Sequence, residues 1–154
     1  MKILIVFLGI LLINVSFLAF DSDMDRYEKL QVVLKAAAEE AAAGAALCQD
    51  EAQYGKGFLV IDSRAAEEYA AFAAADVERR LPELMGMKVN YEMKIFDDAK
   101  GYDGIENCGV SGESPAVWIR LTATGKDLFR LPFVSQTVTK RSAVYQWDTW
   151  KKRL

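Results

Sequence analysis

The sequence predicts an α+β protein, in which a long N-terminal hydrophobic and alanine-rich helix precedes a small head with a second helix packed on a three-stranded antiparallel sheet. Three observations predict this fold. Residues 3–20 form an almost unbroken apolar run, residues 36–46 are nearly all alanine, and three later segments alternate apolar with polar residues. About 130 residues follow the apolar run, which is enough for one small domain with its own core.

The apolar run, ILIVFLGILLINVSFLAF, is long enough to cross a lipid bilayer. As an α-helix its residues span about 27 Å, close to the thickness of the hydrocarbon core. Lys2 precedes the run and Asp21 follows it, so the positive-inside rule places the N-terminus in the cytoplasm and the rest outside. A cleaved signal peptide is the rival interpretation, but residues 17–20 make a poor small-x-small cleavage site.

These observations divide the chain into three parts. Residues 1–20 are the transmembrane helix, residues 21–150 are an extracytoplasmic head that includes the alanine-rich helix at 22–48, and residues 151–154 are a basic tail. No helix breaker occurs between the apolar run and Gly44, so the membrane segment and the first helix of the head can be one continuous rod.

The alanine-rich helix presents small residues at helical spacing. Alanine is the best helix former and leaves a narrow cylinder that other backbones can approach closely. Two uses stay open, namely packing against helices of other subunits and packing on the chain's own sheet. The candidate residues for helix packing and assembly are Ala37, Ala38, Ala41, Gly44 and Ala45.

The remaining elements of the head follow in order. We expect a loop at residues 49–56, a short extended segment at 57–61, and a second helix from an N-cap at Asp62 or Ser63 to about residue 84. Strands are predicted at 89–96, 117–123 and 136–147. A long glycine-containing loop at 97–115 and a turn at 125–132 separate these strands. The alternation in the last strand is untidy at 140–143, which predicts a bulge there.

The two cysteines, Cys48 and Cys108, lie sixty positions apart. Outside the cytoplasm they can form one disulfide that ties the end of the first helix to the glycine-containing loop. Two unpaired thiols are the alternative, and the sequence does not decide between them.

The composition argues against an enzyme. The chain has no histidine, which removes the commonest general base and the commonest metal ligand. Asp97, Asp98 and Asp103 lack the spacing of a calcium loop, and no nucleotide-binding motif occurs. The net charge of −3 offers no basic field for nucleic acid. We therefore expect no catalytic residue, cofactor, metal, small-molecule substrate or nucleic-acid partner.

The C-terminal third carries a pattern found in a known family. Residues 116–132, AVWIRLTATGKDLFRLP, join a strand ending in Thr-Ala-Thr to a short connection of leucine, phenylalanine and proline, and residues 136–144, QTVTKRSAV, form the next strand. The hydrophobic anchor and the small-residue helix end, AAAGAAL at 41–47, agree with it. Together they resemble TadE-like and TadG-like proteins, the minor pseudopilins of tight-adherence (Tad) pilus systems.

The resemblance implies a pilin-like structural or assembly protein of the bacterial cell envelope. Such a protein helps to build an adhesive pilus, sits in the cytoplasmic membrane or in a cell-surface filament, and packs its N-terminal helix among those of other pilin subunits. One departure matters, because prepilins of this group carry a glutamate five positions after a small residue. Here Asn14 stands five positions after Gly9. The alternative is a single-pass envelope protein whose head binds another component and is unrelated to pili.

Overall fold

The computed structural model describes residues 2–80, 87–110, 112 and 114–147. Its helices are α1 (Lys2–Ala46), α2 (Glu51–Tyr54) and α3 (Ser63–Arg80), with a 3-10 turn at Ile105–Cys108. Its strands are β1 (Lys88–Phe96), β2 (Ala116–Thr124) and β3 (Val138–Gln146). The predicted α+β class, with a long N-terminal helix and a three-stranded antiparallel sheet, is confirmed.

Helix α1 is one continuous rod with two different environments. It has 45 residues, a length of about 68 Å at 1.5 Å per residue. Asp23 is buried, and apolar side chains on one face are buried from Leu30 onward, whereas the large apolar side chains from Ile3 to Leu18 are exposed. The helix is long and apolar enough in this first part to cross a membrane. The same element therefore supplies both an uncovered apolar surface and a wall of the head.

The sheet is an antiparallel meander in the order β1-β2-β3. In the central strand, Val117, Ile119, Leu121 and Ala123 are completely buried and belong to the main core. This alternation places one face of the sheet under the helices. Helix α1 packs on β2, β3 and α3, and α3 also packs on β1, so two helices cover this face.

The predicted bulge in the last strand is wrong. Strands β2 and β3 stay in one register from the pair Ala116 and Gln146 to the pair Thr124 and Val138. The polarity pattern is untidy because β3 lies at an edge of the sheet, where side chains on either face reach water. Lys140 and Arg141 are adjacent, point to opposite faces, and are both exposed.

The segments between α1 and β1 largely follow the predictions. Asp62 is the N-cap of α3, since its carboxylate accepts hydrogen bonds from the main-chain N–H groups of Arg64 and Ala65 at 2.9 and 3.3 Å. The predicted loop at 49–56 contains the single turn α2, and the extended segment at 57–61 makes one isolated bridge between Ile61 and Gln49. The expected end of the second helix at residue 84 lies outside the described residues, as does the basic tail.

The long loop between β1 and β2 is more ordered than the sequence suggested. It folds against the second face of the sheet, where Ile105 and Val110 of the loop pack with Phe96 and Trp118. The Arg120 guanidinium lies over the Trp118 ring at 4.7 Å, which adds a cation–π contact. The sheet thus has a small apolar cluster on the face away from the helices.

A close contact joins α1 to α3 at Gly44. A Cβ atom at this position would overlap Cε1 and Cζ of the Tyr69 ring, which lies directly over the glycine. Glycine is unfavourable inside a helix, so its presence here is explained by the space that the ring needs. Gly44 therefore serves a helix contact within the chain.

Replacing Gly44 with alanine should reveal this contact. Alanine favours a helix over glycine by about 1 kcal/mol, but in the native chain its methyl group must displace the Tyr69 ring. We expect Gly44→Ala to increase the free energy of unfolding by about 1 kcal/mol in a Tyr69→Ala chain and not in a chain that keeps Tyr69. Urea unfolding of the full chain in detergent micelles measures the effect of Gly44→Ala on the free energy of unfolding in each of the two chains. Gly9→Ala, where an added Cβ meets nothing within 4 Å, is the control. Equal effects of Gly44→Ala in the two chains would contradict the contact.

Candidate functional site

The small residues predicted for helix packing lie in the head's own core. Ala38, Ala41 and Ala45 are completely buried, and Ala37 is 8% exposed. All four belong to the main cluster formed with α3 and the sheet, and Gly44 lies beneath Tyr69. Their packing is therefore within one chain, and contacts between copies need another surface.

The two cysteines are free in the structure. Cys48 packs against the main core, and its thiol donates a hydrogen bond to the Gly44 carbonyl oxygen at 3.5 Å. Cys108 packs against the cluster on the other face of the sheet. Burial, helped by the negative charge of Asp62, raises the pKa of the Cys48 thiol. A raised pKa leaves less thiolate and lowers the reactivity of this group.

The acidic residues of the long loop support the backbone. The buried Asp97 carboxylate accepts hydrogen bonds from the N–H groups of Ile61 and Lys100 at 3.1 and 2.7 Å. Asp98 accepts one from the Leu59 N–H group at 2.8 Å. Within the described ranges no group of three His, Cys, Asp or Glu side chains is arranged to hold a metal ion. These carboxylates tie the loop to the extended segment before α3.

The N-terminal part of α1 presents the largest apolar surface of the described chain. Between Ile3 and Leu18 the large apolar side chains are 50% to 86% exposed. The polar side chains of this stretch bond to the backbone of their own helix, since Asn14 donates to the Ile10 carbonyl oxygen at 2.8 Å and Ser16 to that of Leu12 at 2.9 Å. Such bonds within the helix reduce the cost of placing these polar side chains in hydrocarbon, where water cannot supply partners.

Immediately beyond the apolar run, α1 is fastened to the head by an ion pair. The Asp23 side chain is completely buried, and its Oδ2 accepts a hydrogen bond from the Arg130 main-chain N–H group at 3.0 Å. Its Oδ1 accepts one from the Arg130 Nε at 2.9 Å, and Nη2 of the same guanidinium lies at 2.9 Å from Oδ1. We call this set of contacts the Asp23–Arg130 clamp.

The loop that carries Arg130 also packs on α1 through an aromatic side chain. The Phe129 ring lies between Phe20 and Tyr27, with ring centroids 6.0 and 6.1 Å away. Asp127 closes the loop, because its carboxylate accepts hydrogen bonds from the N–H groups of Phe129 and Gln136, both at 3.0 Å. This β2–β3 loop, residues 125–137, is thereby held against the boundary between the two parts of α1.

Sequence reasoning missed the clamp. Asp23 and Arg130 are 107 positions apart, and no local pattern pairs charges at that distance. One signal was present, because Asp23 stands on the same helical stripe as Tyr27, Leu30 and Leu34, which is the stripe that enters the core. An acidic residue on a buried stripe requires a partner, since an unpaired buried charge is very costly.

Two opposing effects set the ionisation of Asp23. Burial raises the pKa of its carboxyl. The hydrogen bonds from Arg130, with the positive charges of Arg130 and Arg26, lower the pKa by more than burial raises it, so the pKa lies below its ordinary value of 3.8. The ionised form is therefore favoured by folding. Its stabilising effect is present above pH 3.8 and is lost as the pH falls from there through the folded pKa.

Asp23→Asn should expose the contribution of the clamp. We expect it to lower the free energy of unfolding by about 1–2 kcal/mol at pH 7, a modest loss because water partly screens Arg130. The difference from the native chain should shrink as the pH falls below 3.8, since protonated aspartate also lacks the charge. Urea unfolding in detergent micelles across this pH range measures it.

The exposed Asp25 on the same helix provides the control. Asp25→Asn changes the net charge equally and should alter stability by less than about 0.5 kcal/mol. An equal loss for both variants at pH 7, or a loss for Asp23→Asn that does not depend on pH, would contradict the clamp.

Comparison with known proteins assigns no family. No family model, no curated protein and no solved structure matches the chain. The resemblance to TadE-like proteins therefore stays a prediction from the sequence. The structure itself shows an α+β layout of pilin type, with a long N-terminal helix, a further helix and a three-stranded antiparallel sheet.

Proposed function

We propose that this protein is a membrane-anchored, pilin-like structural or assembly protein, a minor pseudopilin of a bacterial Tad-type pilus or of a related envelope filament. The observation that carries the proposal is the division of α1. Its first part is apolar and uncovered, and its second part is built into a compact head without a break between them. A subunit of this shape can be held by a bilayer or by a bundle of similar helices.

The physical basis is the surface between Ile3 and Leu18. In a bilayer lipid covers this surface, so no other protein surface has to cover it. In a filament outside the membrane it must be covered by helices of other subunits, because each buried large apolar side chain contributes about 1.5–3 kcal/mol. Assembly through this surface leaves the head outside the helix bundle.

The partners in this proposal are other pilin or pseudopilin subunits. They contact the exposed part of α1 and not the five small residues named above, whose side chains or backbone the head already covers. The protein lies in the cytoplasmic membrane with its N-terminus inside and its head outside, and it joins the filament from there. Adhesion is a property of the assembled pilus, and the chain itself performs no catalysis.

Asn14 gives the proposal a specific form. In prepilins of this group a glutamate stands at the corresponding position and pairs with the N-terminal amine of a neighbouring subunit. Here the Asn14 amide donates within its own helix to Ile10. A neutral side chain provides no such charge, which favours an unprocessed protein that assists assembly.

A second candidate function is a single-pass envelope protein whose head binds a component unrelated to pili. The burial of the alanine-rich helix face favours this second function, because small residues buried within one chain need no neighbouring subunit. The two candidates differ in whether the exposed part of α1 has protein neighbours.

Photocrosslinking at matched phenylalanines separates these candidates. Phe7 is 61% exposed on the apolar part of α1, away from the β2–β3 loop, and Phe72 on α3 is 62% exposed. We expect p-benzoylphenylalanine at position 7, introduced in the native host, to crosslink to a second copy or to another pilin. Position 72 should give far less of these products. Mass spectrometry of the membrane and sheared-surface fractions identifies the adducts and the N-terminal residue.

The competing outcomes are distinct. Adducts with pilins in the sheared fraction make the protein a filament subunit, and adducts with pilins only in the membrane make it an assembly factor. Lipid adducts alone at position 7, in cells that make the filament, would overturn the proposal in favour of the second candidate.

A further inference from the structure

The tip of the β2–β3 loop, residues 131–133, lies beside the apolar part of α1. Leu131 and Phe133 form one wall of an open groove of about 440 Å³, and α1 side chains from Leu12 to Phe20 form the other. Phe133 is 77% exposed, although it stands only three residues after Arg130 of the clamp. An exposed phenylalanine next to an exposed apolar helix extends the apolar surface from the helix to the head.

The position along α1 sets the depth of this tip. Leu12 lies eight residues before Phe20, which is about 12 Å along the helix axis. The first charged side chain after the apolar run is Asp21. If the end of the run marks the edge of the hydrocarbon, the groove lies alongside the outer part of the membrane-embedded helix.

The chemistry of the groove agrees with that depth. The polar side chain in its lining, Ser16, donates its hydroxyl hydrogen to the Leu12 carbonyl oxygen. Arg130, directly before this tip, is exposed, and its guanidinium is paired with the Asp23 carboxylate just beyond the apolar run. The carboxylate of Asp127 accepts hydrogen bonds within the loop. A groove with apolar walls, whose lining hydroxyl is bonded within the helix, fits the acyl chains of a leaflet.

We propose that residues 131–133 are a second membrane contact, which inserts into the outer leaflet beside α1 so that a lipid acyl chain fills the groove. The inference rests on the membrane anchoring in the proposed function and adds a site to it. Lipid is the occupant that the structure favours, because the groove is continuous with the helix surface that the bilayer already covers. The clamp keeps the tip at this level, so the tip cannot withdraw into the head without breaking the Asp23–Arg130 contacts.

A consequence concerns the orientation of the head. A single helix leaves a head free to tilt, whereas two contact points separated across the groove fix one side of the head against the membrane. The β2–β3 loop then faces the lipid.

Nitroxide depth measurements test the insertion. The full chain carries Cys48→Ala and Cys108→Ala, with one labelled cysteine introduced as Phe133→Cys, Gly9→Cys or Phe72→Cys, in vesicles of phosphatidylethanolamine and phosphatidylglycerol. The ratio of oxygen to nickel-chelate accessibility rises with depth in the hydrocarbon. We expect the ratio at position 133 to resemble that at position 9 and to exceed the ratio at position 72 several-fold. Phe72 is the matched control, since it is an exposed phenylalanine on α3.

The outcomes separate the inference from the proposal on which it rests. A high ratio at position 9 with a low ratio at position 133 would overturn the inserted loop and leave the anchor intact. A low ratio at both positions would overturn the anchor as well. A high ratio at position 133 with spectral broadening that disappears on dilution with unlabelled protein would show a second copy in the groove, which overturns the lipid assignment. Pro132→Cys repeats the measurement at a second exposed position of the tip.

Discussion

The buried carboxylate of Asp23 is the constraint on which the layout of this protein depends. It lies three residues after the apolar run, and folding buries it completely. A charge in this position is tolerable only with a partner, and Arg130 supplies both a main-chain N–H group and a guanidinium. The β2–β3 loop is therefore bound to α1 at the level where the helix passes from uncovered to covered.

Helix α1 has two parts with different surfaces and does not change its secondary structure between them. Its first part exposes large aliphatic and aromatic side chains, which fit hydrocarbon, and its second part uses alanine so that α3 and the sheet can approach closely. A hinge between these parts would let the head move freely. The clamp and the packing of Phe129 between Phe20 and Tyr27 instead hold the boundary in one conformation.

The sequence was sufficient for the elements of the fold because their signals are local. The apolar run, the Asp62 cap and the alternation in β2 each depend on residues near one another, and the structure confirms them. The untidy polarity of β3 led to the wrong prediction of a bulge, because an edge strand does not need a clean alternation of apolar and polar residues. The order in the loop between β1 and β2 was missed because its apolar residues pack across the sheet with Phe96 and Trp118.

The candidate site was harder to predict because its contacts are distant along the chain. The sequence indicated the small residues of α1 as packing positions, but it does not say whether the neighbour is the same chain or another. In the structure these residues pack against α3 and the sheet, and the Tyr69 ring lies over Gly44. The pairing of Asp23 with Arg130 required the three-dimensional fold, and only the position of Asp23 on the buried stripe hinted at it.

Hydrogen exchange of the full chain in lipid nanodiscs tests most directly whether α1 is one rigid rod fastened at its boundary. We predict that the amides of residues 20–30 exchange as slowly as those of residues 34–45, because both stretches are helical and the clamp suppresses local opening. Rapid exchange confined to residues 20–26, with the head still protected, would reveal a hinge at the boundary and contradict this account.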